Sequence, residues 1–362
     1  MILSIDTMKV IYIVCGCLGG AAVLTVLTLL LASFLAFRMI IKGKPGKSGK
    51  SIDNDEKLLT QVMGPDYEDW LKFVLDSTKE YENLEKTPVT VTTFDNLKLY
   101  GDFVAADTKS NKTVICMHGY RSNPKNEFSQ MIPFLRKAGY NLLFVNHRAH
   151  GPSEGKYIGF GSLDHKDAIK WIEAVEELVP GGDIFLYGVS MGAATVMNAC
   201  GLDNLPSSVK GAVQDCGFTS PWDVIAFQVN RLLRFSSFPL VNVINMFCKI
   251  FAKYSLKKPT TTESVSMSSV PILFIHGDND LFVPTYMSEV NYRACTAPKR
   301  KLIVDNAGHA MSYYKNPSLY EETFLAFLEQ CSGDSNQLTF EELLSSDYDA
   351  DDEKDYEHIK DE

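Results

Sequence analysis

A chain of 362 residues has room for one ordinary catalytic domain plus accessory segments, and 45% apolar residues supply a large core. The formal net charge of −10 excludes a broadly basic, nucleic-acid-binding surface. Residues 334–362 carry 12 acids and 2 bases, so the rest of the chain is neutral on balance and says nothing about acidic substrates.

Residues 10–37 form a run of 28 without a charge. As a helix it would be about 42 Å long, enough to cross the ~30 Å hydrocarbon core of a bilayer with tilt. It is too long for the apolar region of a cleavable signal peptide. It reads as an uncleaved single-pass anchor, through which the protein contacts a lipid bilayer. Arg38, Lys42, Lys44, Lys47 and Lys50 follow the run, whereas Lys9 precedes it. The positive-inside rule then puts the main body on the cytoplasmic face of the cell membrane, with an extracytoplasmic body as the alternative. Cys116, Cys200, Cys216, Cys248, Cys295 and Cys331 are scattered without metal-ligand spacing. They suit buried free thiols better than a disulfide framework.

The segments divide accordingly: an anchor over 1–42, a basic linker and amphipathic helix over 43–86, a catalytic domain over 87–332 and an acidic disordered tail over 333–362. The linker GKPGKSGK is either a lipid-headgroup contact or a plain spacer. The helix spans 66–82, with Trp70, Phe73, Val74 and Tyr81 near one face that packs on the domain. In the tail, Asp347, Asp349 and Asp351 begin like a calcium loop. Asp352 stands where that loop needs glycine and His358 where it needs glutamate, so no calcium site is expected.

From Thr87 the pattern changes to a hairpin, 89–93 and 98–105 around the turn Asp95-Asn96. Short apolar strands then alternate with helices. Strands are expected at 113–117, 141–145, 184–187, 209–214, 272–275 and 301–304. Helices are expected at 127–138, 164–178, 191–200, 286–293 and 319–330. This rhythm means an α/β domain, a mostly parallel sheet covered by helices on both faces, with ligands at the carboxyl ends of its strands.

The chemistry gathers at those strand ends. Gly188-Val189-Ser190-Met191-Gly192 lies between a strand and a helix, the G-x-S-x-G pattern of a nucleophile elbow. A serine on so sharp a turn takes a strained backbone. Gly188 and Gly192 stand where side chains would collide with the neighbouring strand and helix. The Met191 N–H and the Tyr120 N–H, freed by the turn at Gly119, are the expected oxyanion donors. His118 reads as structural. Asn146-His147-Arg148-Ala149-His150-Gly151 has no carboxylate or cysteine at ligand spacing, so no metal is assigned. His276-Gly277-Asp278-Asn279-Asp280 offers two carboxylates. Asp280, further past the strand, is the acid that orients an imidazole, and Asp278 shapes the loop by capping backbone N–H groups. His309 sits on a loop of small residues after the last strand. Ser190, Asp280 and His309 therefore have the chain order of a catalytic triad that needs no cofactor.

At these residues the chain resembles the α/β-hydrolase superfamily. The matches are His118-Gly119, Gly188-x-Ser190-x-Gly192, the loop from His276 to Pro284, and Gly308-His309. More narrowly, the Asn146 to Gly155 and Asp215 to Ser220 stretches look like a group of bacterial hydrolases with an N-terminal membrane segment and acyl- or peptidase-like labels. The resemblance covers about residues 87–330. It departs at Asn146, a position usually Asp in the family, where a turn-stabilising charge is lost. It implies that residues 218–270 form a helical lid over the elbow. Phe227, Leu232, Leu233, Phe235, Phe238 and Phe247 of that lid would wall a site for a small, apolar acyl substrate. Arg231, Arg234 and Lys249 among these aromatics also suit a membrane interface. The reading at this level is a membrane-anchored serine hydrolase of carboxylic esters or thioesters. The alternatives are an amidase or aminopeptidase with the same triad, and a non-catalytic tethered binding domain.

Overall fold

The computed structural model describes residues 5–43, 63–234 and 236–333. The expectations for the rest of the linker, for Phe235 and for the acidic tail lie outside the described residues. The apolar run is one helix, α1 (Ile5–Ile41), with residues 8–28 exposed throughout. Among the described residues it is the one helix long and apolar enough to cross a membrane. The amphipathic stretch forms α2 (Tyr67–Glu82), whose Tyr67, Val74 and Thr78 are buried.

The strands are β1 (Thr87–Thr92), β2 (Lys98–Val104), β3 (Lys112–Met117), β4 (Asn141–Val145), β5 (Asp183–Val189), β6 (Val209–Asp215), β7 (Ile272–Gly277) and β8 (Lys299–Val304). They form one sheet in the order β1-β2-β4-β3-β5-β6-β7-β8. β1 and β2 pair antiparallel, β2 joins β4 antiparallel, and every later pairing is parallel. The fully buried strands β4 and β7 carry the apolar runs 142–145 and 272–275 that a sheet covered on both faces demands.

The helices are α3 (Pro124–Phe128), α4 (Ile132–Lys137), α5 (Asp164–Leu178), α6 (Met191–Cys200), α7 (Pro221–Leu233), α8 (Leu240–Phe247), α9 (Thr261–Ser266), α10 (Thr285–Ala294), α11 (Ser312–Lys315) and α12 (Pro317–Ser332). The helix expected at 127–138 is instead two short helices around a 3₁₀ turn, Ser129–Met131. Asn123 caps the first through the Asn126 N–H, and each has a proline in its first turn, Pro124 and Pro133. Proline fits a first helical turn and not the middle of a continuous helix, which explains the division. Two apolar clusters fill the two faces of the sheet. One holds Trp171, Leu186, Val196 and Phe274 under α5 and α6, and the other Phe128, Tyr187, Phe324 and Phe327 under α3 and α12. All eight cysteines are free, with Cys116, Cys200, Cys216, Cys248 and Cys295 buried.

A third cluster joins the end of α1 to the segment expected to be a lid. Phe37 is 1% exposed and its ring meets Tyr157, Phe247 and Phe251 at centroid distances of 5.7, 6.1 and 5.8 Å. Past the helix, the Ile158 N–H donates to Ile41 O at 2.8 Å and the Gly43 N–H to Lys156 O at 3.0 Å. The last turns of α1 are thus part of the folded domain. Phe37→Ala is expected to destabilise the full-length protein by about 3–5 kcal/mol, the usual loss for a buried phenylalanine, in denaturant titrations in detergent.

Candidate active site

The turn after β5 holds Ser190 at φ 56° and ψ −112°, a left-handed conformation that is strained for a residue with a side chain. Its N–H donates to Asp215 O at 2.8 Å, which ties the turn to the end of β6. The glycines around it have no room for a side chain. A Cβ on Gly192 would lie 1.8 Å from Met117 O, and one on Gly188 2.2 Å from Gly192 O.

Ser190, His309 and Asp280 come from three strand ends and meet in a hydrogen-bonded chain. His309 Nε2 lies 3.0 Å from Ser190 Oγ, and His309 Nδ1 lies 2.7 Å from Asp280 Oδ2. All three are buried, Ser190 5%, Asp280 6% and His309 5% exposed. Asp280 also holds its own loop. Its Oδ1 accepts the Phe282 and Val283 N–H groups at 2.8 Å each, and Oδ2 lies 3.1 Å from His276 Nε2. This corrects the loop-shaping role expected of Asp278, which is exposed, whereas Asp280 does that capping. One side chain can do both because its two oxygens point to different partners.

Burial works against charge on Asp280, yet His309 and then His276 hold its carboxyl well below the usual carboxylate range. Burial likewise pulls His309 down, but the Asp280 carboxylate, then Glu127 and Asp215, leave it above the ordinary imidazole value of 6.5. A base that must be neutral to accept a proton therefore works only above that raised value. The acid limb of kcat/KM is expected above pH 6.5, and Glu127→Gln, which removes one of the carboxyls facing the ring, is expected to move it down. Rate profiles over pH for both proteins check this.

Tyr120 reaches the site and Met191 flanks it. A Cβ on Gly119 would lie 3.4 Å from Ser190 Cβ, so the loop after β3 passes directly beside the serine. Met191 opens α6, and the N–H of a first helical residue has no intrahelical acceptor. The Met191 side chain is fully buried behind the site. The Tyr120 hydroxyl points away, donating to Ile40 O at 2.8 Å.

A cavity of about 350 Å³ opens over Ser190 and His309. Of the described residues of the 218–270 segment, the cap, none of those expected to wall it does so. The apolar wall is instead Met63, Tyr67, Trp70, Leu71 and Val74, on and before α2, together with Phe282 and Tyr313. Phe247 is turned to α1, with its ring 5.4 Å from that of Phe34. α2 is pinned here by a 2.8 Å ion pair between Asp66 and Lys315, by the Phe73 ring 5.2 Å from that of Tyr314, and by the Tyr81 hydroxyl donating to Asp102 at 2.7 Å. Gly308 lets it approach, since a Cβ there would lie 2.9 Å from Met63 O.

Two further carboxyls line the cavity, and neither was assigned a role from the sequence. Glu127 accepts from Ser122 and from the Gly119 backbone, and burial raises its pKa. Asp215 accepts from Tyr320 Oη at 2.9 Å, and burial pushes it up to about 6.

The histidines of the neighbouring loop are structural. His118 is fully buried, with Nδ1 2.8 Å from Gly119 O and Nε2 accepting the His147 N–H at 3.2 Å. His150 Nε2 accepts the Arg121 N–H at 3.1 Å. Arg148 forms a bidentate pair with Asp167, both contacts 2.7 Å, and reaches Asp95 at 3.0 and 3.2 Å. Asn146 donates its side-chain N–H to Tyr100 O at 3.1 Å, a bond the aspartate usual in the family could not make. Among the described residues, the one group of three that could hold a metal is Cys216, Asp280 and His309, two of which already bond within the Ser190 chain.

Residues 112–238 match the family model for the alpha/beta hydrolase fold. An esterase of Pyrococcus furiosus superposes with a TM-score of 0.58 at 22% identity, over 80% of this chain and 98% of that one. The chain has the alpha/beta hydrolase fold. A second structure of that esterase gives a TM-score of 0.54 at 26% identity, over 68% and 92% of the two chains. The protein YqkD of Bacillus subtilis is 29% identical over 255 residues, 70% of this chain and 83% of YqkD. An acylaminoacyl peptidase of Pyrococcus horikoshii shares the fold at a TM-score of 0.53 and 19% identity, over 72% of this chain and 44% of its own. The fold, with the esterase at 26% identity, supports a hydrolase.

Proposed function

We propose that the α/β hydrolase chain is a membrane-anchored serine hydrolase that cleaves acyl esters or thioesters. The observation that carries this reading is the buried chain Asp280–His309–Ser190, with the serine on a strained turn. Ser190 Oγ attacks the substrate carbonyl while His309 Nε2 takes its proton. Asp280 holds the ring through Nδ1 and stabilises the imidazolium. The Tyr120 and Met191 N–H groups receive the oxyanion of the tetrahedral intermediate. His309 returns the proton to the leaving group, and water, activated by the same imidazole, releases the acyl group from Ser190. The apolar wall from Tyr67 to Val74 supports an apolar acyl group. The exposed apolar length of α1 supports the anchor, and Arg38 and Lys42 at its end support a domain on the cytoplasmic face.

Amide cleavage by the same three residues is a second reading. Glu127 and Asp215 in the cavity favour it, since their oxygens can accept N–H groups that an ester lacks.

Fluorophosphonate labelling of membranes carrying the wild type, Ser190→Ala and His309→Ala tests the proposal. Labelling is expected in the wild type alone. A wild type that stays unlabelled while hydrolysing no member of a panel of esters and aminoacyl amides overturns it. The same panel ranks ester against amide.

A further inference from the structure

α1 meets the domain along only part of its length. Residues 8–28 are exposed on every side, whereas Ser33, Phe37 and Ile41 are buried and Leu29, Leu30 and Phe34 half-buried. That spacing is one face of a helix. At about 1.5 Å per residue, residues 8–28 extend about 32 Å, close to the ~30 Å hydrocarbon core. Residues 29–41 form a strut that packs one face against the domain and leaves Leu31, Leu35 and Met39 exposed on the other.

The cap rises along that strut. Phe247 and Phe251 interlock with Phe34 and Phe37, at centroid distances from 5.4 to 6.1 Å. Leu240, which opens α8, packs in the same cluster as Phe34. The cap nevertheless leaves large apolar side chains uncovered. Phe238 is 72% exposed, Leu232 69%, Ile250 49% and Phe251 44%. A cap whose only task was to pack on the domain would turn such groups inward. Lys249 and Lys253, next to Ile250 and Phe251 in the chain, and Arg38 and Lys42 at the end of α1 are exposed as well. Apolar side chains bordered by cations, beside a helix of bilayer length, match the boundary between acyl chains and anionic headgroups.

We propose that the exposed edge of the cap is a lipid-contact surface, seated in the headgroup boundary of the same bilayer that α1 crosses. This rests on the reading of α1 as a membrane anchor. The domain is then docked against the membrane on two elements instead of swinging from one. The strut also reaches the reacting end of the molecule, because Ile40 O accepts the Tyr120 hydroxyl and Met39 O accepts Arg121 Nη2 on the loop beside Ser190.

The test uses the full-length protein in vesicles of phosphatidylcholine and phosphatidylglycerol. Tryptophan reporters are placed by Phe238→Trp and Ile250→Trp on the cap, Leu24→Trp on α1 and Glu177→Trp on the exposed face of α5. Each is read as the increment over the wild type, with lipids brominated near the carbonyl end of the acyl chain or near its terminus. The two cap reporters are expected to lose fluorescence, more with the shallow bromines than with the deep ones. The α1 reporter is expected to be quenched and the α5 reporter to be unaffected.

Quenching at Leu24→Trp without quenching on the cap overturns the proposal and leaves the anchor standing. No quenching at either place overturns both. A cap reporter that neither lipid quenches, yet is shielded from aqueous acrylamide, points to a second copy of the chain on this face and also overturns it. Fluorophosphonate labelling of the same samples reports the nucleophile separately, so failure of the hydrolase reading is distinguishable from failure of this one.

Discussion

Ser190→Ala is expected to lower kcat/KM on a simple ester by about 10⁶-fold, and adding His309→Ala to it should lower the rate hardly further. The reason is the single hydrogen-bonded chain through Ser190 Oγ, His309 and Asp280 Oδ2. Without the hydroxyl the imidazole has no proton to accept, so its removal takes away nothing that still works. Asp280→Asn is the sharper case. The amide can keep one oxygen for the Phe282 and Val283 N–H groups, so the loop can survive. What it loses is the second acceptor that fixes the His309 tautomer and stabilises the charged ring, for which a loss of about 10⁴-fold in kcat is expected. Steady-state kinetics on the three single variants and the double variant decide. Losses that multiply would mean the residues act independently and would remove the physical basis of the proposed mechanism.

The sheet and the elbow were legible because each rests on a local signal. Uniform apolar runs such as 142–145 and 272–275 allow little besides a strand buried on both faces, and a serine turned sharply between a strand and a helix needs the glycines that flank it. Chain order placed Ser190, Asp280 and His309 at strand ends, and in the parallel sheet those ends lie together. The cavity wall was not legible. The amphipathic pattern of α2 says that one face is covered, but not that the cover is the opening beside Ser190. The same ambiguity misled the reading of the cap. Its aromatics announce a partner, and the nearest candidate in the family pattern is the substrate, whereas the structure gives Phe247 the aromatic face of α1, some two hundred residues earlier in the chain. Glu127 left no signal, because a lone glutamate in an ordinary helical stretch looks solvated. Only the turn at Gly119 and Ser122 brings acceptor and donors together.

Gly192→Ala is expected to be the most damaging single-methyl change in the domain, worth more than about 4 kcal/mol or failure to fold. The added Cβ would stand 1.8 Å from Met117 O and 3.0 Å from His118 O, all backbone at the end of a buried strand. Neither side can yield easily. β3 is paired on both edges, with β4 and β5, and α6 is buried along its whole length. Relieving the collision would push the first turn of α6 away from β3, and Ser190, one residue before the helix, would move with it. A Gly139→Ala comparison separates this from backbone preference alone. Gly139 has φ +86°, so alanine is strained there too, but nothing lies within 4 Å of the new Cβ. That change is expected to destabilise by about 1 kcal/mol, the conformational effect by itself. Thermal unfolding of both variants in detergent, beside the wild type, reads the difference. Equal stability of the two would mean that the elbow is not packed against β3 this closely, and the strained Ser190 geometry on which the proposed chemistry depends would lose its support.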